Sequence, residues 1–245
     1  MSSIRLDLLL VQRGLAESRE KAQRLIIGGH VRVAGQVHSK PGHTYPADAD
    51  VSVDGPIRFV SRGGEKLEGA LLHFNIDPTG LMCADVGAST GGFTDCLLQH
   101  GAARVYAIDV GQGQLHWKLR NDPRVIVMEG INARYLTAES LPEKAALAVI
   151  DASFISLTLL LPAVTQVLAG GARVISLIKP QFEAGREQVG KGGVVRDPAV
   201  HEDVIARVKE SGERCAGLRW QGVCPSPLKG PAGNTEFLAY WIKSL

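Results

Sequence analysis

Chemistry in this chain could be done by three kinds of residue: a glycine-rich turn behind an acid, a carboxylate closing the next apolar run, and lysines where a charge is costly. The turn lies in residues 84–109, ADVGASTGGFTDCLLQHGAARVYAID, which reads as strand, turn, helix, strand. Asp85 leads into Gly87, Gly91 and Gly92; Phe93, Cys96 and Leu97 follow at helical spacing, and the next apolar run stops at Asp109. Glycines there let the backbone turn tightly and let a ligand lie against bare N–H groups at a helix start. An acid closing the following strand, about 20 residues on, is placed to accept two hydrogen bonds from a ribose diol. A nucleotide-type cofactor is therefore expected. The spacing G-x-x-x-G-G is neither the dinucleotide fingerprint G-x-G-x-x-G nor the phosphate loop G-x-x-x-x-G-K-[ST], and no lysine follows to meet a triphosphate.

The elements that must position these groups alternate. Strands are expected at 125–128, 147–151, 174–178, 218–223 and 237–242, with helices at 157–168 and 198–212. With the two strands around the glycine turn this makes an α/β fold, a parallel sheet of about seven strands covered on both faces, with function at the carboxyl ends. Those ends carry Asp85, Asp109, Asn132, Asp151 and Lys179. Asn132 is placed to read an adenine edge, and Asp151 and Lys179 should face each other across the pocket mouth. A lysine straight after a buried strand is costly unless it is paired or at work. Lys66 sits in the first turn of a helix expected to start near Ser61 and to bury Leu67, Leu71 and Leu72; the helix dipole disfavours a cation there, so stability does not explain it.

Composition sets outer bounds. The 245 residues are 45% hydrophobic and 21% charged with a net charge of +2, which excludes disorder and leaves room for one or two domains. The four cysteines form no C-x-x-C pair and read as reduced and cytoplasmic, and no metal site is expected. Residues 152–172 carry no charge and are long enough to span a bilayer, but their Ser, Thr, Gln, Gly and Pro content and the neighbouring strands fit a buried core helix instead. No membrane association is expected. Charge is uneven: residues 1–43 hold seven Lys/Arg against three Asp/Glu, which points to a polyanion partner.

That basic segment reads as a unit. A short helix at 6–11, a second capped by Ser18 with Ala22, Leu25 and Ile26 on one face, and a hairpin through Ala34-Gly35 make a small α+β domain. Arg19, Lys21, Arg24, Arg32 and Lys40 project from it as candidate phosphate contacts. The breaker Asp54-Gly55-Pro56 marks a linker, dividing the chain into residues 1–54, a linker at 55–61, and 62–245. The loop 183–197 is too long and glycine-rich for a plain connection, and with Arg186, Lys191 and Arg196 spaced along it reads as a substrate clamp.

Two resemblances add to this reading. An acid two residues ahead of G-x-x-x-G-G is similar to the first motif of S-adenosylmethionine (SAM) methyltransferases. Arg5-Leu6-Asp7, Gly14-Leu15, Ser18-Arg19, the run Gly29-x-Val31-x-Val33-x-Gly35 and Lys40-Pro41 resemble the RNA-binding domain named after ribosomal protein S-four. Taken with VSRGGEKL at 60–67, DVGASTGGFTD at 85–95, DVGQGQL at 109–115, DASFISL at 151–157, IKPQFEAGREQVGKGGVVRD at 178–197 and SPLKGPAGNTEFL at 226–238, the whole chain resembles the TlyA family of ribosomal RNA 2′-O-methyltransferases, whose catalytic domain is FtsJ-like and Rossmann-like. The resemblance implies SAM as cofactor, with Asp85, Gly87, Ala88, Ser89, Thr90, Gly91, Gly92, Phe93, Asp109, Val110, Asn132 and Asp151 around it, and ribosomal RNA or a ribosomal subunit as partner, with a cytidine as the methyl acceptor. It implies a Lys66, Asp151, Lys179, Glu236 tetrad, and adds Arg5 and Arg62 to the RNA-contacting cations. In such a tetrad Lys179 either accepts the hydroxyl proton or, as a cation, steadies the developing alkoxide; Asp151 holds its amine, and Glu236 positions Lys66 or the ribose.

Other acceptors fit less well. Asp151-Ala152-Ser153-Phe154 lacks the prolines of the Pro-Pro-aromatic turn of enzymes acting on exocyclic amines. Cys224-Pro225 follows the sixth strand, where a cytosine carbon-5 nucleophile does not belong. A ribosome-assembly factor without activity and a membrane-active haemolysin stand as the alternatives, and the oligomeric state is left open.

Overall fold

The computed structural model describes residues 3–53 and 58–245, so the Asp54-Gly55-Pro56 breaker lies outside the described residues. The N-terminal unit runs β1 (Ser3–Arg5), α1 (Leu6–Gln12), α2 (Arg19–Ile27), β2 (Val31–Val33), β3 (Gln36–Val37), β4 (Thr44–Pro46) and β5 (Val51–Val53). Ser18 caps α2 by accepting the Lys21 N–H. The β2–β3 hairpin turns on Ala34 and Gly35, with φ of 48° and 76°, the left-handed pair that matches strand twist. Leu6, Leu9, Leu10, Ala22, Leu25, Ile26 and Val31 close a core of its own.

The larger unit runs α3 (Gly63–His73), β6 (Met82–Val86), α4 (Gly92–Gln99), β7 (Arg104–Asp109), α5 (Trp117–Arg120), β8 (Val125–Glu129), β9 (Ala145–Ile150), α6 (Leu157–Val164), β10 (Leu168–Ile178), α7 (Pro180–Glu183), α8 (Pro198–Cys215), β11 (Leu218–Pro225) and β12 (Phe237–Lys243). Seven strands form one sheet in the order β11-β12-β10-β9-β6-β7-β8. Its strands alternate sides: Ala84, Val86, Tyr106, Ile108, Ala148 and Ile150 face one core layer, and Cys83, Val105, Ala107, Leu147 and Val149 the other. Each fully buried large side chain there contributes roughly 1.5–3 kcal/mol.

The expected parallel sheet is corrected in one strand, because β12 runs antiparallel to both β10 and β11. A parallel return needs a crossover, and no helix lies between β11 and β12. The expected burial of Leu72 is also corrected: α3 turns Leu67, Ala70 and Leu71 inward, and Leu72, about 100° further round, is 73% exposed. Phe59, within the expected linker, instead packs against the core beneath α3 and α4, and the Val60 N–H donates to Asp95 Oδ2. The charge-free run 152–172 divides into a loop, α6, a 3₁₀ turn at Thr165–Val167 and the start of β10. No helix among the described residues is long and apolar enough to cross a membrane.

Candidate active site

The ends of β6, β7, β8 and β9 and the turns after them build a cleft of about 1220 Å³. Gly87 lines it with φ of 85°, and Gly91, further along the same turn, takes φ of 99°. A Cβ on Gly87 would stand 2.7 Å from the Asp151 carbonyl oxygen, and one on Gly91 would meet Leu119 at 2.2 Å, so neither position admits a side chain. Asp85, fully buried at the end of β6, accepts the Thr94 hydroxyl through Oδ2 at 2.6 Å, while its Oδ1 has no partner among the described residues. Burial raises its carboxyl to about 7 against the Thr94 hydrogen bond, and the charges of Asp151 and Asp109 add to the rise.

Asp109 closes β7 and is already engaged. Its Oδ2 accepts the Ser89 N–H at 2.8 Å and its Oδ1 the Gly111 N–H at 2.7 Å. A carboxylate has about four lone-pair sites, so each oxygen retains one for a hydroxyl, and the two backbone bonds fix the plane in which a diol would be met. Val110 and Asn132 line the same cleft. Asn132 Oδ1 accepts the Arg134 N–H at 3.1 Å, which holds the side chain at the start of the turn after β8.

The four tetrad residues come together as two pairs. Lys66 Nζ donates to Glu236 Oε2 at 2.5 Å, with the glutamate 1% exposed. Lys179 Nζ lies 2.6 Å from Asp151 Oδ1 as an ion pair without hydrogen-bond alignment, and donates to Ser153 Oγ at 2.8 Å. Burial would raise the Asp151 carboxyl, but the charges of Lys179 and then Lys66 outweigh it and hold the group below the usual carboxylate range. Lys66, which the dipole of α3 disfavours, thus finds its compensation in a partner 170 positions away.

A second, narrower slot of about 220 Å³ is lined by Lys66, Asp151 and Lys179. It meets the larger cleft at Gly87, Ser89, Asp151 and Ser153. A group bound in one cavity therefore meets a group bound in the other close to Asp151, the partner of Lys179. Strain gathers at the junction: Ser89 and Phe154 hold φ of 48° and 64°, a left-handed conformation that is an outlier for a bulky side chain. Phe154 is 90% exposed, with its ring 5.0 Å from that of Phe182.

Comparison with known proteins agrees with this geometry. Residues 59–243 match the family described as FtsJ-like methyltransferase. The chain belongs to that family. Residues 4–51 match the S4 domain. The FtsJ-like protein is 47% identical over 98% of its length to the 16S/23S rRNA (cytidine-2′-O)-methyltransferase TlyA of Mycobacterium tuberculosis, covering 90% of that protein. It is 42% identical over 98% of its length to Hemolysin A of Brachyspira hyodysenteriae, all of which is covered. A solved hemolysin candidate from Streptococcus thermophilus superposes with a TM-score of 0.78 at 44% identity, over 100% of this chain and 90% of that one.

In the S4 domain of this FtsJ-like chain the expected RNA contacts separate into two kinds. Arg5 and Arg19 both bind Asp7, which is fully buried: Arg5 donates through Nε and Nη2 at 3.0 and 2.9 Å, and Arg19 through Nε at 3.0 Å. The Arg5 bonds, against burial and with help from Gln23 and Arg19, hold the Asp7 carboxyl well below the usual range. Lys21, Arg24 and Lys40 are exposed. Arg32 lies against the hairpin turn, its Nη1 donating to the Gly35 carbonyl at 3.3 Å. The Arg62 N–H donates to the Gly28 carbonyl at 3.2 Å, tying the two domains together. Arg186 lines the cofactor cleft, while Lys191 and Arg196 stand exposed on the 183–197 loop.

Sequence reasoning missed what organises that loop. Asn234, 1% exposed, accepts the Val195 N–H through Oδ1 at 2.9 Å and donates through Nδ2 to the Gly193 carbonyl at 2.8 Å. Ser153 was missed as well. Both lie inside quoted stretches, DASFISL and SPLKGPAGNTEFL, as polar residues in apolar surroundings, which was the available signal. Cys224 is buried, its thiol is pushed up by burial, and it lines neither cavity, so it is no nucleophile.

Proposed function

We propose that this protein transfers a methyl group from SAM to the ribose 2′-hydroxyl of a cytidine in ribosomal RNA, acting on ribosomal RNA or a ribosomal subunit in the cytoplasm. The observation that carries the reading is the junction of the two cavities at a lysine held by a carboxylate and a serine. The residues suit SAM: a glycine cradle that no side chain could share, a carboxylate with one acceptor site per oxygen for a ribose diol, and a buried Asp85 oxygen without a partner. The cofactor supplies an electrophilic methyl group on a sulfonium. Asp109, Gly87 and Val110 would hold it, since all three line the larger cleft.

Lys179 acts on the acceptor. An ammonium has three donors, one of them used on Ser153, so Lys179 can hydrogen-bond the ribose oxygen and steady its charge as the hydroxyl proton leaves to solvent and the oxygen takes the methyl group, the sulfur departing as a neutral thioether. Asp151 and Ser153 fix the position of that nitrogen. Glu236 holds Lys66 in the slot, where the ammonium orients the ribose. The M. tuberculosis relative's name specifies cytidine-2′-O transfer in 16S and 23S rRNA, and this chain carries Lys66, Asp151, Lys179 and Glu236 around one slot together with an S4 domain, which supports the same reading here.

The test pairs two variants in a single-turnover assay on ribosomal subunits, with alkali resistance marking 2′-O-methylated positions. Lys179→Ala should slow transfer by about 10²–10⁴ with SAM affinity within twofold of the parent. Asp109→Ala should weaken SAM binding by roughly 1–3 kcal/mol in calorimetry. Near-normal transfer by Lys179→Ala would sink the assignment of the site. Alkali-labile product, or methyl groups on bases, would sink the assignment of the acceptor.

A further inference from the structure

A third cavity, of about 580 Å³, lies in the seam between the two domains. That volume is within the roughly 300–1,000 Å³ of small-ligand sites. Lys21 and Arg24 reach it from α2, Arg58 from the start of the catalytic domain, His116 from the position before α5, and Trp117 and Lys118 from the start of α5 itself. It adjoins the acceptor slot, since Ile27 and Thr90 line both.

Its chemistry is cationic and aromatic. Trp117 is 61% exposed although its helix buries Leu119 two positions on, and the His116 ring lies 5.9 Å from it at a tilt of 31°. Arg58 is spoken for by Glu68, at 2.7 and 2.6 Å, and Lys118 by Asp95 at 3.5 Å. Lys21 and Arg24 form no ion pair among the described residues. Their field is felt locally: the His116 imidazole is lowered by burial first, then by Arg24, and by Lys118 and Lys21 against the opposing charge of Asp95, which also lines the cavity. Two cations without anions beside an exposed indole suit a phosphate joined to a flat ring.

We propose that this seam cavity holds the unpaired nucleotide next to the methyl acceptor, its base stacked on Trp117 and its phosphate against Lys21 and Arg24. The inference rests on the reading of the chain as an RNA methyltransferase and names a subsite for that substrate. With the acceptor ribose beside Lys66 and Lys179, the strand leaves the slot over Ile27 and Thr90 and enters the seam. Both domains then grip one nucleotide, which couples S4 binding to placement of its neighbour. Stacking is sequence-tolerant because every base has a π-face, so this subsite requires a single-stranded neighbour rather than a particular base.

The experiment uses the full chain, an unstructured mixed-sequence RNA heptamer, and an abasic ribose-phosphate heptamer. Of the three tryptophans Trp241 is buried and Trp220 packs edge-on against it at 4.6 Å, so fluorescence quenching reports chiefly on Trp117. The RNA heptamer should quench the parent protein. Trp117→Leu should bind it about tenfold more weakly with unchanged SAM affinity, while Trp117→Phe recovers part of the loss. The abasic heptamer should bind the parent about as weakly as RNA binds Trp117→Leu. Lys21→Glu with Arg24→Glu should weaken both polymers. Equal binding of RNA by the parent and Trp117→Leu, or of RNA and the abasic polymer by the parent, overturns the subsite alone. A parent that binds neither polymer and methylates no ribosomal RNA overturns the functional reading with it.

Discussion

A buried carboxyl with one unsatisfied oxygen is an expensive residue to keep, and Asp85 is such a residue. Its folded-state value of about 7 stands above the roughly 3.9 of an unfolded aspartate. The stability tied to its protonated form is complete below about pH 4 and is lost as pH rises through about 7, at up to about 1.4 kcal/mol per pH unit. Asp85→Asn keeps an acceptor for Thr94 and removes the titration. Its melting temperature, measured from pH 5 to 8 without cofactor, should therefore rise relative to the parent as pH increases; parallel profiles would refute the assignment. Single residues of this kind were legible in sequence where a strand end announces them, as at Asp85, Asp109, Asp151 and Lys179. Asn234 and Ser153 were not, because what they do depends on a carbonyl and an amine brought from 41 and 26 positions away, and no local pattern encodes such a meeting. Glu236 was legible only through the resemblance, since the loop before β12 has no periodicity to read.

Helix α2 shows that equal charges on one element can do unequal work. Ser18 starts it, Ala22, Leu25 and Ile26 bury its inner face, and the cations on its outer side were expected to be interchangeable phosphate contacts. Arg19 is instead part of a clamp on buried Asp7 that joins α2 to α1, whereas Arg24 carries no such bond. Reversal of the two to Glu should therefore have different consequences. Arg19→Glu would set a second carboxylate against Asp7 and should destabilise the S4 domain by about 1–3 kcal/mol, seen as a lower urea midpoint. Arg24→Glu should leave that midpoint unchanged and weaken RNA binding. If the two variants unfold alike, the Asp7 clamp contributes nothing. The type of each long element was legible from period and caps, and the exception has a physical origin. The antiparallel sense of β12 follows from the missing crossover helix, which strand periodicity alone does not report.

At the scale of the whole chain, the S4 domain is a wall of the reaction chamber as well as a handle for RNA. Its core closes without the catalytic domain, yet Gly28, Gly29, Val37 and Ser39 line the slot that holds Lys66 and Lys179, and the Arg62–Gly28 backbone bond fixes the approach. Two family matches, at residues 4–51 and 59–243, follow one another along the chain; the closure of the two units over the slot was not legible in sequence, because it depends on surfaces that each unit's own pattern leaves polar. Removing residues 1–53 should thus have two separable effects. The exposed cations Lys21, Arg24 and Lys40 leave with the domain, so the slope of log affinity against log salt for rRNA fragments should fall by roughly two to three. The catalytic domain retains Asp109, Gly87 and Gly91, and SAM binding should persist. Transfer at saturating RNA should also slow, since the acceptor ribose loses one side of its slot, and a small displacement of the reacting atoms can cost about 10²-fold. A salt titration of binding beside single-turnover rates, both on the truncated protein and the parent, separates the two. An unchanged slope would make the basic face a solvated surface. An unchanged saturated rate would reduce the S4 domain to a tether, with the slot shaped by the catalytic domain alone.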